Sequence, residues 1–349
     1  MKNIAVIPGE VKLPTTFKKA IDKMGKRKKG TDIVAHTYKK TNLPDKEKKA
    51  QRLFLCGKTV IYAENPTGRE PIQIGSIRCG IRLCPSCSWI RSNKIFQSVH
   101  RIITASDFAG KEFIFLTLTV RNCRGDSLEG EIKRLLSAWQ KLTENKNTGF
   151  RKSFLGTFRA LEVNYSWLRR DYHPHLHVMA AVEPDYFKKS NKNYISQKAL
   201  RKMWRDACGL DYDPRCSIKK VYSTTEKQVA EVAKYTVKSV DYLNRPNVIE
   251  VLDPALRSKR LIAYGGLFKS VRARLALPNE DCLDDIPPAA TEELLSNPYI
   301  RKIILEWNIG LKTYEIKLFE PSNDPDEWLR PDRIAAEILK MQANEYMRR

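Results

Sequence analysis

One stretch narrows the possible folds of this chain more than any other: His173-Pro174-His175-Leu176-His177-Val178, which runs on into apolar residues up to Val182. It carries three of the five histidines in the whole sequence. Side chains of a β-strand alternate between its two faces. As a strand, the stretch sends His173, His175 and His177 one way and Leu176 and Val178 the other, toward a core. Neutral imidazoles two residues apart on one strand face form a ready chelate for a metal ion and leave its remaining positions open to substrate. The alternative is a strand whose polar side simply faces solvent. The scarcity of histidine elsewhere argues against it.

The flanking sequence supplies a sheet for this strand. Phe113 to Arg121 is apolar, β-branched and aromatic and reads as a buried strand. Leu128 to Thr143 has helical periodicity through Ile132, Leu135, Leu136, Trp139 and Leu142. Phe154 to Tyr165 reads as a second strand, with one acid, Glu162, inside an apolar run. Only a short turn, Trp167 to Asp171, separates it from the histidine strand, so the two should pair antiparallel. Glu162 would then face the histidines as a third ligand; the other reading is a salt-bridged strand residue. Helices are expected over Ser196 to Ala207 and Thr225 to Val240, with a strand from Cys216 to Tyr222 between them. In the second helix Glu231, Tyr235 and Lys238 stand four and three residues apart, on one face. That spacing also suits an ordinary solvated helix face. Arg260 to Phe268 reads as a strand ending in a Gly-Gly turn, and Pro287-Pro288 as a linker. The fold class is therefore α+β.

Charge and cysteine usage indicate the partners. Lys and Arg number 63 against 40 Asp and Glu, a net charge of +23, in 349 residues. Such an excess favours nucleic acid, through release of counterions from phosphates. An anionic membrane surface competes, but no apolar run approaches the roughly 20 residues of a spanning helix. Residues 1–52, with Lys26 to Lys29 and Lys46 to Lys49, read as a flexible basic arm. Met1 to Lys12 shows no signal-peptide core, and the eight cysteines suit reduced thiols in a cytoplasmic protein. Cys84-Pro85-Ser86-Cys87 is a C-x2-C knuckle just after Cys79, with Cys56 placed to be a fourth ligand of a structural Zn²⁺. Buried free cysteines are the alternative. Arg78, Arg82, Arg91 and Lys94 with Trp89 around the knuckle make a mix suited to a DNA surface, and a helix is expected from Ser86 past Ile103.

Taken in order, Phe115 to Thr119, His173 to His177 and Glu231 to Lys238 resemble the three motifs of plasmid rolling-circle replication initiators, the Rep proteins of the HUH endonuclease superfamily. Cys79, Cys84 and Cys87 are similar to the cysteine-rich segment of the branch with one tyrosine and a glutamate four residues before it. The resemblance covers about Cys56 to Val271. It implies an antiparallel central sheet with the histidine strand near its centre and the tyrosine helix across one face. It implies that His175 and His177, with Glu162, hold Mg²⁺ or Mn²⁺ over a phosphate of single-stranded or hairpin-extruded origin DNA. Tyr235 would be the nucleophile, Lys238 its cationic neighbour, and Glu231 the base for the terminating step. His173 stays outside the metal set, as a DNA contact or support, and Lys234 is a further DNA-contact candidate. No Walker-type phosphate loop is present, so unwinding and synthesis would fall to a host helicase and polymerase.

The expected division is a basic arm over 1–52, a cysteine-rich zinc segment over 53–104, a catalytic nickase domain over 105–285 and an accessory region over 286–349. Two other functions fit the same residues. One is a transposase or relaxase of the same superfamily. The other is a non-catalytic zinc DNA-binding regulator, which needs neither Glu231 nor Tyr235.

Overall fold

A computed structural model describes residues 15–63, 71–144, 149–188, 191–221, 239–281, 283 and 302–319. In chain order the elements begin α1 (Thr15–Lys39), α2 (Lys46–Leu55), β1 (Thr59–Ala63), β2 (Ile72–Ser76) and α3 (Pro85–Ile103). Next come β3 (Glu112–Thr119), α4 (Leu128–Glu144), α5 (Gly149–Ser153), β4 (Gly156–Ser166) and β5 (Asp171–Val182). They end with α6 (Gln197–Cys208), β6 (Cys216–Val221), α7 (Pro246–Leu256), β7 (Ile262–Gly266), α8 (Leu267–Arg274), β8 (Lys302–Asn308) and β9 (Thr313–Phe319). The chain divides into two units, one built from residues 1–39, 45–87 and 283–349 and the other from 40–44 and 88–282.

In the first unit β1 lies between β2 and β8 in a four-stranded antiparallel sheet of order β2-β1-β8-β9. Phe17 and Ile21 of α1 pack with Val60, Ile303, Leu305, Trp307 and Tyr314. The Trp307 indole donates to Asp32 at 2.9 Å, and the fully buried Lys28 ammonium reaches Asp32 at 2.5 Å and the Phe54 carbonyl at 2.8 Å. The expected flexible arm is thus corrected for Thr15 to Arg52, which is helical over most of its length and contributes to a core. The accessory region needs the same correction, because β8 and β9 belong to the sheet of β1.

The second unit holds a five-stranded antiparallel sheet of order β6-β3-β5-β4-β7, so the histidine strand β5 is the middle one. Both neighbours pair with it antiparallel, β4 through the short turn that joins them. On one face Phe113, Phe158, Met179 and Ala181 pack with Val99 and Ile102 of α3 and Phe268 and Val271 of α8. On the opposite face Leu116, Leu118, Leu161, Leu176 and Val178 are fully buried, and α4 packs there against β5, α6 and α7. A proline in a central strand is unusual, because it cannot donate to the ladder. Here the β3 ladder ends at the pair Thr119–His175, one residue short of Pro174.

The helices flanking the sheet have identifiable stops. Ser196 caps α6 by accepting the Ala199 amide at 3.1 Å, and Gly209 ends it in the left-handed region at φ 64°. Gly266 joins β7 to α8 at φ 54°, where a Cβ would collide with the Leu155 carbonyl. The expected helix over Thr225 to Val240 lies almost wholly outside the described residues. No helix among those described is long and apolar enough to cross a membrane.

Candidate metal centre

Register aligns three functional side chains. Glu162 of β4 pairs with His175, which pairs with Thr119 of β3; one rank along, Ala160, His177 and Thr117 repeat the alignment. Paired residues share a face, so Glu162, His175 and His177 project together. Glu162 Oε2 lies 2.9 Å from His177 Nε2 and 3.6 Å from His175 Nε2, and the two Nε2 atoms are 3.1 Å apart. Glu162 and His175 are buried, and His177 is slightly more open. The ring of Phe115 lies 5.3 Å from that of His177, and His173 stacks on His175 at 5.0 Å.

The donor chemistry suits a divalent cation. His175 Nδ1 donates to the His173 carbonyl at 3.0 Å, which sets the ring with Nε2 toward Glu162 and His177. His177 Nδ1 is buried and has no hydrogen-bond partner among the described residues. Burial pushes the Glu162 carboxyl up, but hydrogen bonds and charge from His175 and His177 outweigh it and hold the group well below the usual carboxylate range. The result is an ionised, buried carboxylate whose converging neighbours are two imidazole nitrogens. Cis donors around Mg²⁺ at about 2.1 Å would be about 3.0 Å apart, close to two of the three separations seen. The three residues therefore fit a metal ion.

A second cluster lies in the first unit. Cys56, Cys79, Cys84 and Cys87 are all buried, with Sγ separations of 3.6 Å (Cys56–Cys84), 3.4 Å (Cys56–Cys87) and 3.6 Å (Cys79–Cys87). None is in a disulfide. Burial pushes the Cys79 and Cys84 thiols up, while hydrogen bonds from neighbouring sulfurs pull Cys56 and Cys87 down. Four buried soft donors within 4.8 Å of one another match a tetrahedral thiolate metal site. Arg52 donates to the Cys79 carbonyl and fixes that loop.

The other expected residues are placed unevenly. Arg78, Arg82 and Lys94 are half-buried, whereas Arg91 is buried and its Nε donates to the exposed Asp281 at 3.0 Å. Trp89 is exposed. His173 is beside the candidate ligands but outside the donor set; burial, then neighbouring His175, lowers its pKa. Glu231, Lys234, Tyr235 and Lys238 lie outside the described residues. Tyr242, the nearest alternative phenol, is fully buried, in keeping with a packing residue. Two supports of the site were not anticipated. The Trp204 indole donates to the Thr119 carbonyl at 2.9 Å, and Thr119 Oγ1 donates to the Arg215 carbonyl at 2.6 Å, which fixes the end of β3 beside His175. The position of Trp204 on the apolar side of its helix was the signal available for the first.

Comparison with known proteins identifies the family. A family model described as "Replication protein" matches residues 73–315. The chain is 32% identical over 321 residues to "Protein rep" of Bacillus amyloliquefaciens, covering 83% of this chain and 93% of that protein. It is 33% identical over 290 residues to "Protein rep" of Lentilactobacillus hilgardii, with 77% and 88% covered. It is 31% identical over 276 residues to "Protein rep" of Streptococcus pneumoniae serotype 2, with 76% and 84% covered. No solved structure matches it significantly. A family match that runs from β2 into β9, and relatives alike over most of both lengths, establish that this chain belongs to the Rep family of replication proteins.

Proposed function

We propose that this chain is a plasmid rolling-circle replication initiator, a metal-dependent endonuclease and strand transferase of the HUH type that nicks one strand of its origin. The observation that carries the proposal is the convergence of Glu162 on β4 with His175 and His177 on the middle strand of an antiparallel sheet, in a chain of this family. Mg²⁺ or Mn²⁺ held by these three residues would supply Lewis-acid polarisation of a phosphate oxygen. The Tyr235 phenol attacks phosphorus, its proton passing to a base or water. The bond from phosphorus to the 3′-oxygen breaks, and that oxygen leaves as a free 3′-OH after taking up a proton. The 5′ side stays on the enzyme as a phosphotyrosine, which conserves the bond energy for rejoining. Lys238, three residues past Tyr235 in the sequence, favours the phenolate. Glu231 accepts a proton from water or a 3′-OH in the terminating step, so one tyrosine suffices for the cycle.

The partner is then DNA, as a single-stranded or hairpin-extruded origin, with host helicase and polymerase acting after the nick. Zn²⁺ on Cys56, Cys79, Cys84 and Cys87 would hold the first unit's loop between β2 and α3. The test is covalent capture. Purified protein, Mn²⁺ and labelled single strands tiling the source replicon are resolved on a denaturing gel, with Tyr235→Phe alongside. The expected result is a shifted band absent from the variant. An adduct that survives in Tyr235→Phe overturns the assignment of the nucleophile. Binding without any adduct on any strand overturns the nickase reading in favour of a non-catalytic DNA-binding protein.

A further inference from the structure

The turn between β4 and β5 ends in a feature that packing does not explain. Trp167 is 70% exposed and Leu168 76%, next to Arg169 and Arg170. Two large apolar side chains at a hairpin tip are a solubility cost unless something covers them. The tip is nevertheless held firmly. The Arg170 amide donates to the Ser166 carbonyl at 2.7 Å, and the Arg169 amide donates to Ser166 Oγ at 3.3 Å. Behind them the Tyr165 and Tyr172 rings pack at 5.0 Å, and Tyr172 exchanges backbone hydrogen bonds of 2.8 Å with Cys123.

We infer that this tip is a base-stacking contact for the DNA strand that enters the metal centre, with Trp167 on the face of an unpaired base and the neighbouring arginines on its phosphates. The inference rests on the proposed nickase reading for the identity of the strand and adds the residue that sets its register. Three observations support it. An exposed indole followed two and three residues on by exposed arginines combines the two elements of sequence-tolerant single-strand binding, a stacking face and positive charge. Arg169 is paired with Asp171 at 3.0 Å, while Arg170 has no ion pair with a described residue. The hairpin also leads directly to the ligands. Four residue pairs separate Ser166–Asp171 from Glu162–His175, about 14 Å at the rise of an antiparallel strand, or about four nucleotides at stacked spacing. Between them the pair Asn164–His173 lies on the ligand side, and Asn164 Oδ1 is buried without a hydrogen-bond partner among the described residues. A base edge passing from the tip to the metal would supply one.

The experiment uses the full chain and a fluorescent mixed-sequence single strand. Anisotropy titrations compare the natural protein with Trp167→Ala, Trp167→Phe and the double change Arg169→Gln, Arg170→Gln, and strands carrying iodouracil are photocrosslinked and the peptides mapped. Trp167→Ala should weaken binding about 5- to 150-fold, the range for loss of one base–aromatic stack. Trp167→Phe should recover most of it, and the double arginine change should lower the salt slope by about 1.4. Crosslinks should fall on the peptide that contains Trp167. Unchanged affinity in Trp167→Ala with no crosslink at the tip overturns the inference. So does a change of sedimentation mass in Trp167→Ala with DNA binding intact, which would assign the patch to a second copy of the chain. Adduct formation by Tyr235 is scored separately. Loss of the adduct with tip crosslinks retained removes the nickase reading alone, and an adduct with unchanged binding by Trp167→Ala removes this inference alone.

Discussion

Replacing Glu162 by Gln keeps the shape of the buried side chain and removes the one anionic donor that the described residues bring to the candidate metal centre. The consequence can be worked out as a metal-dependent stability. A ligand that binds only the folded state stabilises it by about 2.7 kcal/mol when present at a hundred times its dissociation constant. Loss of an outer-shell partner costs about 10- to 100-fold in metal affinity, so about 100-fold is a modest figure for a direct donor 2.9 Å from one imidazole nitrogen and 3.6 Å from the other. At the same Mn²⁺ concentration the variant would then gain only about 0.4 kcal/mol. The difference of about 2.3 kcal/mol corresponds to about 5–9 °C of melting temperature for a folding unit of this size. The assay is thermal melting with and without Mn²⁺, each protein referred to its own metal-free baseline so that the effect of the substitution on the empty fold cancels. Mn²⁺ is the right probe because it is hard and the four-cysteine cluster is soft. An Mn²⁺ shift of equal size in the natural protein and in Glu162→Gln would refute the assignment of Glu162 as a ligand, whatever the activity of either.

Three further outcomes follow from the same coordinates. The Glu162 carboxyl is held below its ordinary range, so its stabilisation is complete above about pH 4.3, the unfolded value, and is lost as pH falls through the folded value; the metal-free stability gap between natural protein and Glu162→Gln, measured by urea unfolding, should be level at neutral pH and shrink toward pH 3. Cys87→Ser should reduce bound zinc from one ion per chain to none in elemental analysis and open the segment between Cys56 and Cys87 to protease, whereas undiminished zinc would show that the four sulfurs are not its ligands. Trp204→Phe strips the Thr119 carbonyl of its donor and leaves a void, which together should lower unfolding free energy by about 2–4 kcal/mol; a loss below about 0.5 kcal/mol would mean that the end of β3 is held by other contacts.

The sheet that carries the metal centre was legible because its strands have strong local patterns. β5 alternates imidazoles with Leu176 and Val178, and β3 and β4 are apolar runs bounded by turns, so period and spacing gave both the strands and the antiparallel pairing that brings Glu162 to His175. The first unit was not legible, for two physical reasons. Its sheet pairs β1 with β8, residues far apart in sequence, and non-local pairing leaves no local period. Its long helix α1 buries Lys28, Thr31 and Thr37 alongside Phe17 and Val34, and lets Trp307 approach Gly25, so its inward face does not read as an apolar stripe. The helix α7 was overlooked despite a usable signal: Pro246 at its first turn, then Val248, Ile249, Leu252, Ala255 and Leu256, all buried, at helical spacing.

The discontinuous first unit sets a timetable for synthesis. β1 leaves the ribosome roughly 240 residues ahead of its partner β8, a delay of about 12–48 s at 5–20 residues per second. All five strands of the second unit have been made before that partner appears. The nascent chain thus completes the sheet bearing His175 and His177 first, while Val60 and Ile61 wait with an open strand edge, the kind of surface on which chains aggregate. Early capture of an ion by Cys56, Cys79, Cys84 and Cys87, all translated within that opening stretch, would brace the waiting half until its last strands arrive.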